Sequence, residues 1–430
     1  MPDSVRRMPG RRATILAARR APLGPAFRRL WAAAAVSNLG DGVARSAIPL
    51  LAVRLTDRPA LVAGLVFAQQ LPWLLFGLFA GVVADRVDRR RLMGGVDLAR
   101  GIVVGALAVL VVTDRATIAV LWGVMFLLGT GETFFDSASQ AFFPNVVREE
   151  HLERANGRLF VTQSVVDELA GPPVGAFLFA AIAPLPFFID GASFVVAAII
   201  VLTFPRSVRS TPARATAPGG AAPRARVRDD LRTGARFLFS HRVLRRLMTI
   251  GAIYNGLAWG SESVLALFAI RELGVSTGVF GLVLAELALG GIAAGLFVDR
   301  ITDRLGPGRT MAFAFGVVGV GATAAGASPN AVGFAAGLTA VGFAGTAASV
   351  VLISLRQALV PDELRGRVNS MFRLGLMAAA PVGALVAGQL ATHLSVRAPA
   401  LALGVGSAIL AAFTAVTVTN RDIADARSAA

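Results

Sequence analysis

Long apolar runs broken by short arginine-bearing segments are the dominant pattern of this chain. A bilayer crossing requires about 20 mostly apolar residues. Runs of that kind fall at 30–54, 60–84, 92–112, 117–137, 158–181, 185–204, 247–270, 276–298, 310–327, 331–354, 369–392 and 398–419. Those at 60–84, 310–327, 331–354 and 398–419 hold no charged residue. Backbone groups at that depth have no water to bond, so each run is expected to be a helix. The pattern predicts an all-α integral membrane protein with twelve transmembrane helices.

The breaks carry arginine unequally. Alternate breaks and tails place 34 arginines on the side of both termini and 4 on the other, with 4 more inside runs. Basic segments stay cytoplasmic, so both termini are expected in the cytoplasm of a multi-pass plasma-membrane protein. Residues 1–29 read as a cytoplasmic tail rather than a signal peptide, because the next apolar run is too long and no small-residue cleavage site closes it. The one long polar stretch is 205–246. Thr211 to Pro223 reads as a flexible linker. Asp229 to Arg246 places Leu231, Ala235 and Leu238 on one helical face, as in a helix lying on the membrane surface or in a solvated linker helix. The expected organisation is a tail (1–29), a six-helix bundle (30–204), a linker (205–246), a second six-helix bundle (247–419) and a short tail (420–430).

The two halves repeat. Gly81-Val82-Val83-Ala84-Asp85-Arg86 after span two returns as Gly295-Leu296-Phe297-Val298-Asp299-Arg300 after span eight, 214 residues on. Leu152 and Pro173-Val174-Gly175-Ala176 around span five match Leu364 and Pro381-Val382-Gly383-Ala384 around span eleven, at offsets near 210. A duplicated bundle suits alternating access, in which two similar halves rock about a central site.

The pattern G-x-x-x-D-R-x-x-R-R at Gly81 to Arg90, with its copy after span eight, resembles the signature loop of the major facilitator superfamily. Leu39-Gly40-Asp41-Gly42, Asp85 through Met93, Pro144 through Gly157, and Gly234 through Phe239 resemble its macrolide-efflux and enterobactin-exporter-like branch. The resemblance covers nearly all of 27–420. It implies two pseudo-symmetric six-helix bundles and a gating role for the loop residues Gly81, Asp85, Arg86 and Arg89, with Asp136 as the partner of Arg89, and for Gly295, Asp299 and Arg300 in the second copy. Asp88 departs from the family, which often has Gly there. Gly171-Pro172-Pro173-Val174-Gly175 partly resembles the kink of proton-driven exporters, and two prolines without N–H donors should bend span five.

Composition narrows the chemistry. Hydrophobic residues make up 55% and charged residues 16%, against about 25% charged in soluble proteins. All 42 basic residues are Arg, which excludes a Walker-A lysine. There is no Cys, and the three His (His151, His241, His393) are far apart, so no cofactor or metal is expected. The basic excess of +16 follows membrane topology and does not point to nucleic acid.

Acids inside spans are costly and usually serve a pathway or a partner. Asp41, Glu132, Asp167, Glu168, Glu262 and Glu286 are the candidates for proton coupling. Arg45 lies one turn after Asp41 and is its expected ion-pair partner. These six acids exceed the buried bases Arg45 and Arg373, so some are expected to carry protons. Asn38, Gln69, Gln70, Trp73, Tyr254, Asn255 and Trp259 are candidate substrate contacts in a mostly apolar cavity. Glycines four apart (Gly77/Gly81, Gly101/Gly105, Gly291/Gly295, Gly333/Gly337) predict close helix contacts. The function expected is proton-coupled efflux of amphipathic organic compounds by a monomer whose partners are a small-molecule substrate, protons and the lipid bilayer. A facilitator or importer of another solute such as a lysolipid, and a non-transporting membrane sensor, are the alternatives. No catalytic constellation is visible, so an enzyme is not expected.

Overall fold

The computed structural model describes residues 23–204 and 223–428. Among them the regular structure is entirely helical. In chain order stand α1 (Gly24–Leu55), α2 (Pro59–Arg86), α3 (Arg89–Val112), α4 (Ile118–Val146), α5 (Leu152–Thr162), α6 (Gly171–Ala181) and α7 (Leu185–Leu202). After the linker come α8 (Pro223–Ser240), α9 (Arg242–Ser263), α10 (Phe280–Leu305), α11 (Pro307–Ala327), α12 (Ala331–Leu359), α13 (Arg365–His393), α14 (Ala398–Thr417) and α15 (Asn420–Ser428). The tail before Leu23, and most of Thr211 to Pro223, lie outside the described residues.

Nine of the described helices are long and apolar enough to cross a membrane unaided. The other three expected positions are also helical. Span one is α1, which carries Asp41 and Arg45 in its middle. Span five is α5 and α6 joined by a π-helical segment, Gln163–Ala170. Span seven is α9, which continues through Leu265–Leu267 into a second π-helical segment, Phe268–Glu272. Charge and interruption together lower their apolarity.

The breaks between helices have local causes. Thr117 and Asn330 accept from the amides of Val120 and Gly333, capping α4 and α12. Asp88 caps α3 by accepting from the amides of Arg90 and Arg91. Its backbone is extended, with φ −65°, so the turn needs no glycine and the departure from the family pattern supplies a cap instead. The matching turn before α11 does use glycine. Gly306 has φ 78°, and Asn420 clasps the turn by accepting from Gly308 N at 2.8 Å and donating to Leu305 O at 2.9 Å.

Helix pairing repeats between the halves. In the first, α1 packs on span five, α2 on α4, and α3 on α7; in the second, α9 packs on α13, α10 on α12, and α11 on α14. Glycines set the closest approaches. Gly42 meets Gly171, and Gly175 meets Val43 O, as Gly383 meets Gly256. Gly129 against Gln69 O corresponds to Gly342 against Leu287 O, and Gly101 against Gly191 to Gly319 against Gly404. Of the predicted small pairs, Gly101 and Gly337 do sit in tight contacts, whereas Gly81, Gly105 and Gly295 face open space.

The halves meet along two symmetry-related pairs, α2 with α13 and span five with α10. Their cores are distributed unevenly. On the side away from the linker, one apolar cluster runs through both halves, including Leu50, Leu51, Val62, Phe179, Phe187, Leu267, Phe268, Phe280 and Phe334. On the linker side each half keeps its own cluster, around Met93 and Phe142 in the first and Phe315 and Phe372 in the second. Arg271 adds a polar tie on the far side, donating to Val53 O at 3.1 Å and pairing with Asp57 at 2.6 Å. The molecule is therefore closed on the far side. The helix α8 docks on α13, with Gly234 against the Arg367 backbone and Leu238 buried.

Candidate functional site

Five helical elements of the first half bring charge to one level of the bundle. Span five is held tightly against α1 because Gly42 and Gly171 leave no side chain between them. Pro172 and Pro173 remove the amide donors that would bond the Glu168 and Leu169 carbonyls, and Gly171 N bonds Val166 O in π register. π segments are frequent at functional sites, and this one carries Asp167 and Glu168. The expected bend is thus realised as a local unwinding just ahead of the prolines.

The close approach decides which acid Arg45 meets. Its Nε donates to Asp167 Oδ1 at 3.2 Å and its Nη2 to Oδ2 at 2.9 Å. This corrects the expected Asp41–Arg45 pair. Residues one turn apart on α1 are neighbours, but a bidentate fork across the Gly42–Gly171 contact is the better geometry. Asp41 instead accepts from Ser37 Oγ at 3.3 Å and faces Arg100 of α3, with Nη2 at 3.8 Å.

Arg100 is the centre that sequence reasoning missed. Its side chain is 11% exposed, its Nη1 lies 4.0 Å from Asp97 Oδ1, and its guanidinium stacks at 4.3 Å over the Phe194 ring. Asp41, Glu132, Asp97 and Asp190 all act on it electrostatically. Asp97 and Asp190, also missed, are 0% and 2% exposed. The available signal was the spacing of Asp97 and Arg100, one turn apart on one face of span three.

Across the interface, Glu262 of α9 acts on Arg45 together with Glu168. Glu286 stands apart, accepting from Thr339 Oγ1 at 2.6 Å in a contact between α10 and α12. Arg373 of α13 stacks at 4.2 Å over Trp73 of α2 and is the first of the bases acting on Asp136.

The candidate substrate contacts divide. Asn255 is engaged, donating to Leu376 O at 2.7 Å. Tyr254 packs against Phe315, with its hydroxyl beside Gly345. Gln70 is buried, whereas Asn38, Gln69, Trp73 and Trp259 are half-buried.

The loop between α2 and α3 differs from its expected pairing. Arg89 donates to Ala84 O at 3.1 Å, to Ala141 O of α4 at 2.9 Å and to Asp85 at 3.2 Å. Its partner on α4 is a carbonyl, not Asp136, because Asp136 lies more than one turn deeper, within reach of Arg373. Asp85, Arg86, Asp299 and Arg300 are exposed, and Arg300 bonds back to Leu296 O of its own helix. Gly81 and Gly295 have open space beside them.

Known proteins bear on this geometry. The sequence profile described as transmembrane secretion effector matches residues 17–429. The multidrug efflux pump Tap of Mycolicibacterium fortuitum is 28% identical over 408 residues, 90% of this chain and 96% of that protein. Macrolide efflux protein A of Streptococcus pyogenes is 30% identical over 156 residues, 36% of this chain and 38% of that protein. Among solved structures, a bacterial homologue of the human lysosomal transporter Spinster, inward-facing and occupied, gives a TM-score of 0.71 at 15% identity, covering 92% of this chain and 97% of that one. An inward-facing bacterial homologue of the iron transporter ferroportin gives 0.71 at 15%, covering 92% and 100%. At such identity these two share the fold alone.

Proposed function

Because the chain belongs to the transmembrane secretion effector family of major facilitator transporters, we propose that it expels amphipathic organic compounds from the cytoplasm in exchange for protons. As a member of that family it is a multi-pass membrane transporter of small molecules and not an enzyme. The 34-to-4 arginine asymmetry supports a cytoplasmic linker side with both termini there. On that orientation the far-side closure corresponds to an inward-facing state. Efflux rather than uptake is favoured by the two relatives named as efflux proteins, one of which matches nearly end to end.

The observation that carries proton coupling is the set of acids around Arg45 and Arg100. Asp41, Glu132, Asp167 and Glu168, with Glu262 opposite, outnumber the bases that reach them. Asp167 is committed to Arg45. Asp41 and Glu132 face Arg100 without that bidentate geometry, which leaves them free to exchange protons with water or with a cationic substrate. Glu286 and Thr339 form a structural contact in the second half. Asp85 and Asp299 engage the opposite half only when the linker side closes. A proton crossing about 100 mV supplies about 2.3 kcal/mol, enough for a solute gradient of about fifty-fold.

The test is expression in a host stripped of its own pumps, challenged with macrolides and lipophilic cations. Raised resistance that collapses with a protonophore supports proton-driven export. Unchanged resistance together with increased compound uptake would overturn it in favour of import.

A further inference from the structure

The contact between Asp41 and Arg100 leaves one buried carboxyl unexplained. Asp97 is 0% exposed, and neither of its carboxyl oxygens has a hydrogen-bond partner. The nearest cation, Arg100 Nη1, stands 4.0 Å away. Asp190, 2% exposed on α7, has an equally unpartnered Oδ1, and Arg100 Nε is unpartnered too. An ionised carboxylate in such a place loses its hydration without gaining donors in return, while the neutral acid loses far less.

Arg100 faces two acids at once. From α1 it meets Asp41 at 3.8 Å, whose side chain is 34% exposed; on its own helix it meets Asp97, which is sealed. Neither distance is a hydrogen bond. A small swing of the guanidinium, pivoting on its stack over Phe194, completes one pair and abandons the other. The charged groups around this pivot are Asp41 from α1, Glu132 from α4, Asp190 from α7, and Asp97 on its own helix.

We propose that Asp97 is an inner proton-binding site, and that Arg100 alternates between Asp97 and Asp41 so that only one of the two is ionised at a time. With Arg100 turned to Asp41, the proton rests on Asp97. With Arg100 turned to Asp97, the proton passes from Asp97 to Asp41, the member that water reaches, so the pair always holds one proton. The role of this site in transport rests on the proton-coupled reading above; its protonation does not.

Infrared difference spectroscopy of the purified full chain at neutral pH tests the assignment without a substrate. The wild type is expected to show a carboxylic-acid carbonyl band that Asp97→Asn removes and Asp97→Glu retains at a shifted position. Asp97→Asn, which mimics the neutral acid, is expected to melt within a degree or two of wild type. A band unaltered by either substitution, or a melting point well below wild type for Asp97→Asn alone, would overturn the inference. In proteoliposomes with ethidium as probe, Asp97→Asn is expected to lose at least ten-fold in proton-driven transport while keeping ethidium exchange without a gradient. If the wild type ignores the gradient, the coupling reading fails and the infrared result still decides Asp97. If the wild type is driven and Asp97→Asn is driven equally, the inner-site assignment alone fails.

Discussion

Replacing Arg45 with methionine removes the fork that satisfies Asp167. The salt bridge joins a guanidinium 41% exposed to a carboxylate 7% exposed, so the two ends lose differently. Removing one partner of a fully buried pair costs about 3–5 kcal/mol, whereas exposed pairs contribute about 0–1 kcal/mol. The carboxylate is sealed but the guanidinium is wetted, which puts Arg45→Met between those limits, at about 2 kcal/mol. Hydrogen bonds to a charged group contribute about 1.5–3 kcal/mol, in agreement. Asp167→Asn keeps one acceptor and should cost less. A double-mutant cycle is the clean assay, with unfolding in detergent followed by tryptophan emission. Trp31 is a suitable reporter because its Nε1 donates to Thr162 Oγ1 of span five at 2.7 Å. The expected coupling energy is about 1.5–2 kcal/mol; additivity within about 0.5 kcal/mol would refute the argument that these two residues stabilise each other across α1 and span five.

Other consequences are independent of that pair. Gly383→Leu should prevent assembly of the second half, because its side chain would enter the Gly256 backbone, whereas Gly105→Leu, with open space beside it, should be tolerated; yields of monodisperse protein separate the two. Asn420→Ala frees Gly308 N and Leu305 O and should cost about 1–2 kcal/mol, seen as faster amide exchange at the α10–α11 turn and a lowered melting point. His241 caps α9 by accepting from Leu244 N, and burial pushes its imidazole below the ordinary 6.5. A lowered folded value means its contribution is complete above 6.5 and is lost as pH falls through the lower folded value. The protection factor at Leu244, the exchange rate corrected for its intrinsic pH dependence, should therefore fall on acidification in the wild type and not in His241→Asn; identical profiles in the two proteins would discard this assignment.

The fold was largely legible in one dimension, because bilayer thickness imposes run length and arginine marks the breaks. The offset near 214 between Gly81 and Gly295 exposed the duplication, and the paired contacts at Gly42–Gly171 and Gly256–Gly383 are its physical counterpart. The site was only half legible. Acids within apolar runs stand out, so Asp41, Asp167 and Glu262 could be found from depth alone. Depth does not say which helices lie side by side. Asp97 and Asp190 lie in the first halves of α3 and α7, and Arg100, at the middle of α3, stands inside its run without being one of the two bases expected to be buried. Packing of α3 on α7 and the lateral reach of Arg100 carry them inward. The Asp41–Arg45 pair failed for the same reason, since a glycine contact between helices outweighed sequence proximity.

Rocking of two similar halves is the central claim, and distance measurement between spin labels tests it most directly. The chain has no native cysteine, so single labels need no background removal. One pair joins Val87 to Leu305 on the linker side; the other joins Arg115 to Leu394 on the far side. Under an imposed proton gradient with ethidium present, the account predicts that the linker-side distance shortens as the far-side distance lengthens. Distances that move together, or that never change, would contradict it.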